Sequence, residues 1–379
     1  MIIELMIRNG RVVDPSTGIN GLYDIAVAEG KIISIAPPGS IPDEGFAKVL
    51  DASGCLVTPG LIDLHTHVYE GVHEMGVRPD VVGIDQGVTT VADAGSAGAG
   101  NFDDFISRSV KNNATEVLAW LNIAKPGLAE GRSELADLKN LNAHEALACI
   151  ERHPEVICGI KARMSGSVVK GNGIFPLSVA KAVAREAQLP VMVHIGNAPP
   201  ELGGVLDLLE EGDVVTHAFH GKAGGILGPE GRLIPQAEEA LDRGVRFDVG
   251  HGSSSFSFQT MKQAQQLGIT PYSISTDLYL ENWLRGPVYS LTMTMSKFLL
   301  LGYPIEQIIQ WTTQAPAQIL RRANTIGTLR EGTIADISIL QIVEQPVEFV
   351  DSERQVLSGS KLIQAQYIIK SGEIYPCKQ

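Results

Sequence analysis

Two histidines one residue apart, His65 and His67, close the apolar run Gly60-Leu61-Ile62-Asp63-Leu64-His65-Thr66-His67. Side chains alternate across a strand, so both imidazoles point the same way and can grip one metal ion between them. Other apolar runs end on the same kind of group, at Lys161, His194, His217 and Asp277. A buried polar group without a partner is costly, so polar groups repeated at equivalent strand ends imply a shared task. Four imidazoles, a carboxylate and an amine exceed the usual four-ligand set of one zinc ion, and two ions would use them. A lysine ammonium has no lone pair to donate, so Lys161 requires chemical modification or a different role.

The elements that must position these groups are short apolar runs alternating with amphipathic segments. Candidate strands end near His65, Gly95, Asn122, Lys161, His194, His217, Gly250 and Asp277. Eight βα units are the pattern of a (β/α)8 TIM barrel, an α/β fold whose chemistry sits at the C-terminal strand ends. The Gly/Pro-rich stretches 221–231 and 250–257 read as loops over the barrel mouth. Outside the barrel, short β-branched runs broken by turn residues mark both ends of the chain. Residues 1–56 and 330–379 are expected to form one small β-sandwich domain, and residues 57–329 the barrel.

Composition narrows the partners. The chain has 379 residues, 44% hydrophobic and 19% charged, which suits a folded barrel with a small companion domain. Its formal charge of -13 repels phosphate backbones and anionic membranes, so a small molecule is the expected partner, with no nucleic acid and no membrane. Met1-Ile2-Ile3-Glu4 lacks a signal-peptide layout and no long unbroken apolar run occurs, so a cytoplasmic location is expected. Cys55, Cys149, Cys158 and Cys377 lack CxxC spacing and are expected to be reduced structural residues. The oligomeric state is not fixed by the sequence, which is compatible with a homo-oligomer.

Taken together, Gly60 to His67, Gly159-Ile160-Lys161-Ala162-Arg163, Val193-His194-Ile195-Gly196, Thr216-His217-Ala218-Phe219-His220-Gly221 and Ser275-Thr276-Asp277 resemble the amidohydrolase superfamily. The resemblance covers nearly the whole chain. The lysine on the fourth strand is similar to that of the binuclear branch, which includes dihydroorotases, hydantoinases and related deacetylases. This resemblance implies two divalent ions, usually zinc, bridged by a carbon dioxide-derived carboxylate on Lys161. His65, His67 and Asp277 would then hold the inner ion, and His194 and His217 the outer one. It further implies a metal-bridging hydroxide as nucleophile, with Asp277 as general base and then acid.

Substrate contacts are sought around the mouth. Arg163 follows Lys161 by two positions, so alternation brings it to the same side, where its fork could clamp a carboxylate or instead form a rim salt bridge. Backbone amides at Gly95 and Ser96 could approach an anionic group, Tyr69 is expected to face the cavity, and His251 to reach substrate from its loop. Dihydroorotases usually carry an arginine two residues after the second metal histidine; Tyr69 stands there instead. The expected activity is therefore deacetylase-like cleavage of an acyl amide or ester on a small carboxylate-bearing substrate, with cyclic amide opening as the alternative. A mononuclear deaminase would leave Lys161 unexplained and lacks a glutamate soon after His217. A silent scaffold conflicts with the filled ligand positions.

Overall fold

The computed structural model describes residues 3–42 and 45–378. Strand Leu56–Pro59 explains how the two ends of the chain meet. It pairs antiparallel with Ile337–Val350 on one side and parallel with Arg11–Asp14 on the other. The six-stranded sheet so formed runs, in spatial order, Glu373–Pro376, Val356–Lys370, Ile337–Val350, Leu56–Pro59, Arg11–Asp14 and Ile19–Leu22. A four-stranded sheet faces it, with Ile3–Arg8 between Asp24–Ala28 and Phe46–Asp51 and with Lys31–Ala36 at one edge. Leu5, Ile7, Val12, Ile25, Val27, Val57, Ile337, Ile339 and Ile369 are buried together between them. Alternation of β-branched residues on each inner face makes this a sandwich core.

From Gly60 the chain enters the barrel. Seven strands follow in strict sequential order, each parallel to the last: Leu61–Thr66, Val88–Gly98, Glu116–Asn122, Ile157–Met164, Val191–Ile195, Val214–Thr216 and Arg246–Phe247. The interior below the mouth is filled by Ile62, Leu64, Ala92, Ala94, Leu118, Trp120, Met192 and Val214, all buried. A second apolar layer lies between strands and outer helices, where for example Ala146, Cys149 and Ile150 form the inward face of helix Ala143–Arg152. Asn142 caps that helix by accepting the Glu145 N–H at 3.1 Å. All four cysteines are unpaired. Among the described residues no helix is long and apolar enough to cross a membrane.

The eighth barrel position departs from the expected regular strand. Segment 272–278 closes the circle by separate contacts: Tyr272 N to Phe247 O at 2.8 Å, Val249 N to Ser273 O at 3.1 Å, Asp277 N to His65 O at 2.7 Å and His67 N to Leu278 O at 2.8 Å. Two facts account for the irregularity. Asp277 is left-handed with φ 52°, which breaks strand geometry. Ser273, Ser275 and Thr276 also bond buried carboxylates: Ser273 and Ser275 donate to Asp248, and Thr276 Oγ1 donates to Asp63 Oδ2 at 2.5 Å. Strands six and seven are short for a related reason, since His217 has φ 67° and Gly250 φ 46° just past their ends.

The long hairpin formed by Ile337–Val350 and Val356–Lys370 leaves the sandwich and reaches the barrel mouth. At its tip, buried Asp351 accepts the N–H groups of Phe258 (2.9 Å), Glu353 (2.8 Å) and Gln355 (2.9 Å). Ser352 Oγ donates to Gly252 O at 3.0 Å. The small domain therefore holds the loop that follows strand seven.

Candidate metal centre

At the C-terminal mouth the six strand-end groups converge. His65 Nε2 and His67 Nε2 lie 3.2 and 3.1 Å from the same oxygen, Asp277 Oδ1. Lys161 Nζ is 3.4 Å from His65 Nε2 and 3.2 Å from Met192 Sδ. The His217 ring stands 5.0 Å from His65 and 4.4 Å from His194, centroid to centroid. Donor atoms of His65, His217 and Asp277 all lie within 4.8 Å of one another.

A second layer fixes how the imidazoles face. Thr216 Oγ1 donates its proton to Asp248 Oδ2 at 2.8 Å, so it must accept from His65 Nδ1, 2.8 Å away. That leaves the His65 Nε2 lone pair turned inward. His217 Nδ1 donates to Gly250 O at 2.6 Å, again leaving a bare Nε2, which is buried with no partner among the described residues. His67 Nδ1 meets Ser96 Oγ at 2.9 Å. Asp93, Asp248 and Asp63 anchor this layer. Asp93 accepts from Val68 N and Ser96 N, and Asp63 from Thr276 N and His65 N. Sequence reasoning missed all three, although Asp63 and Asp93 are lone carboxylates in apolar strands, as in Leu61-Ile62-Asp63-Leu64, and Asp248 directly follows strand seven.

The electrostatics suit a cation. Burial holds the His65 and His194 imidazoles well below their ordinary proton affinity and takes His217 down to about 3, so the rings are neutral. Acceptor atoms of His65 and Asp277 thus face each other, an arrangement that a divalent ion satisfies and an empty cluster does not. Burial also lowers Lys161 to about 7, partly offset by the Asp277 charge, so a large share of this amine is neutral near neutral pH. The donor set and its bare lone pairs fit a metal site.

The remaining expected contacts are redistributed. Tyr69 does not face the cavity: its strand ends at Thr66, so alternation no longer applies, and the ring is buried edge-on against Phe105. Its hydroxyl donates to Asp104 Oδ2 at 2.7 Å. Tyr69→Phe is accordingly expected to leave kcat/KM unchanged and to cost no more than about 1 kcal/mol in a denaturant titration, as for a net hydrogen bond. Gly95 serves Lys161 rather than an anion. With φ +86°, a Cβ there would fall 2.7 Å from Lys161 Cγ, so only glycine lets the lysine stem pass. Ser96 orients His67 instead of offering an amide to substrate, since its N–H is bound by Asp93 Oδ1 at 2.7 Å.

His251 is not free for substrate either. It is fully buried, its Nε2 accepts from Lys297 Nζ at 2.8 Å, and its Nδ1 lies 2.9 Å from Gly252 O. Lys297 also donates to Pro287 O and to Val350 O of the hairpin, at 2.7 and 2.8 Å. Arg163 does reach the mouth beside His194, but its Nη1 is committed to buried Glu134 at 2.9 Å and to Arg132 O at 3.3 Å. The rim salt bridge is therefore present, and Nε and Nη2 remain without a bond among the described residues.

No family model matches the chain. The chain is 39% identical to a deacetylase of Enterococcus faecalis over 378 residues, covering 99% of this chain and 100% of that protein. It is 34% identical to a deacetylase of Agrobacterium fabrum, covering 91% of this chain and 84% of that one. Among solved structures, one described as an adenine deaminase superposes with TM-score 0.93 at 38% identity, covering 99% of this chain and 100% of that one. Another, described as a dihydroorotase, gives TM-score 0.90 at 32% identity and 99% coverage of both. With this barrel, this sandwich and these relatives, the chain belongs to the amidohydrolase superfamily, in its dihydroorotase-like group, and is a metal-dependent amidohydrolase.

Proposed function

We propose that this protein hydrolyses an acyl group, an acetyl group foremost, from the nitrogen or oxygen of a small carboxylate-bearing molecule. The observation that carries the reading is the convergence of His65 Nε2 and His67 Nε2 on Asp277 Oδ1, at 3.2 and 3.1 Å, beside a buried His217 Nε2 with no partner among the described residues. His65, His67 and Asp277 would hold one divalent ion, His194 and His217 a second, with Lys161, carboxylated, between them; zinc suits this donor set. Such ions, when bound, supply an acidified water and polarise the scissile carbonyl.

The chain's own residues do the rest. Asp277 takes the proton of the attacking water and returns it to the leaving nitrogen or oxygen, so the amide or ester bond breaks as a carboxylic acid and an amine or alcohol form. Its left-handed backbone aims the carboxylate into the mouth. Arg163, held by Glu134, can direct Nε and Nη2 at a substrate carboxylate. The deacetylase names of the Enterococcus and Agrobacterium relatives support this reading.

A cyclic amide substrate is the second reading, favoured by the dihydroorotase likeness at TM-score 0.90. Against it, Tyr69 stands where an arginine would aid dihydroorotate binding, and it is turned away from the cavity. Adenine, the substrate named for the other structure, offers no anion to Arg163. The test is turnover by the zinc-loaded protein of N-acetyl and O-acetyl carboxylic acids beside hydantoins and dihydroorotate. Hydrolysis of the acetylated set is expected; turnover of the cyclic amides alone would replace this reading with the second.

A further inference from the structure

We infer that Lys222 supplies the net positive charge that selects a substrate carboxylate, while Arg163 only orients it. The inference rests on the proposed reading of a carboxylate-bearing substrate. Lys222 lies five residues past His217, on the loop leaving strand six. Its backbone is pinned, because the Lys222 N–H donates to Nδ1 of buried His220 at 3.1 Å. Its nearest polar partner at Nζ is Ser254 Oγ, 3.5 Å away on the loop after strand seven. The adjacent Ser253 shares a short hydrogen bond with the Tyr279 hydroxyl, two residues beyond Asp277. The ammonium thus stands on the rim where the loops of strands six, seven and eight meet.

What distinguishes it from Arg163 is compensation. Arg163 is neutralised by Glu134, whose side chain is fully buried. Lys222 is half-buried, and no carboxylate lies within ion-pair distance of it among the described residues. Its partner Ser254 sits two residues past Gly252, which packs so closely on the proposed centre that a Cβ there would fall 2.5 Å from Asp277 Oδ2. An already paired guanidinium attracts an approaching anion weakly, though it still offers directed donors. An unpaired, partly desolvated ammonium gives a stronger Coulomb pull, and an incoming carboxylate relieves its own burial cost. The two cations therefore divide recognition: Arg163 sets angle, and Lys222 sets charge preference.

The test compares binding of N-acetylglycine and its neutral carboxamide, N-acetylglycinamide, to the zinc-loaded protein by calorimetry, with hydrolysis followed separately. Wild type should bind the carboxylate roughly tenfold or more tighter than the carboxamide, a gap of about 1.4 kcal/mol. Lys222→Met should bring that ratio near one, and Lys222→Arg should retain most of it. A ratio near one in wild type, or an unchanged ratio in Lys222→Met, would overturn the assignment. Binding with the charge preference but without hydrolysis would support Lys222 and sink the deacetylase reading. Hydrolysis whose carboxylate preference ignores Lys222 would do the reverse.

Discussion

Lys161→Ala is expected to lower bound metal from two ions per chain to one or none and to reduce kcat/KM by about 10³-fold or more, the scale of removing a metal-activated water. The reason is positional. Lys161 is the only group in the cluster that reaches inward from strand four, and its stem runs over Gly95 to within 3.4 Å of His65 Nε2. Metal content by mass spectrometry of the intact loaded protein, together with turnover, checks the outcome; two ions with undiminished activity would refute the bridging role.

The same lysine gives a pH signature in metal-free protein. Its folded value of about 7 lies below its ordinary 10.5, so between these values the folded amine is neutral and the unfolded one protonated. Unfolding then takes up a proton, and stability rises with pH across that window. Below about 7 both states carry the proton, and burial of the charge is a constant penalty. Carboxylation consumes the neutral amine and releases a proton. Reloading of metal at fixed dissolved carbon dioxide should accordingly slow by about tenfold per pH unit below 7.

Asp277→Asn is expected to cost about 10²- to 10⁴-fold in kcat, the range of a lost general base, with a smaller change in KM. Asparagine keeps the size of the side chain and can keep one contact near His65 and His67, so the barrel should fold. It has no charge to accept the water proton. A loss confined to KM would show that Asp277 serves binding rather than proton transfer.

The convergence of the strand-end groups was legible because imidazole, amine and carboxylate groups interrupt apolar strands at places where nothing else accounts for them. His65 and His217 needed no knowledge of tertiary contacts to be singled out. Even the irregular closing segment was found, since Ser275-Thr276-Asp277 carries the polarity although not the geometry of a strand. Inference failed where a strand's alternation stops. Tyr69 lies past the end at Thr66 and turns to Asp104, and Gly95 takes a positive φ within its strand, where a Cβ would meet the crossing lysine. It failed again where a side chain's availability depends on distant partners. Arg163 owes its compensation to Glu134, 29 residues earlier, and His251 is occupied by Lys297, 46 residues later. Lys222 stands out only once such pairings have been drawn and it is left over.

The hairpin tip carries a consequence for how the molecule is made. The eighth barrel position closes by Leu278, yet the loop carrying His251 and Gly252 is gripped directly by Ser352 and, through Lys297, by Val350. During synthesis the ribosome must therefore deliver another seventy or so residues before that grip can form, and the nascent barrel emerges with its strand-seven loop unsupported. Completion of the mouth thus waits on a segment translated well after the barrel strands, so a chain halted before the hairpin can have every candidate ligand and still lack a finished mouth.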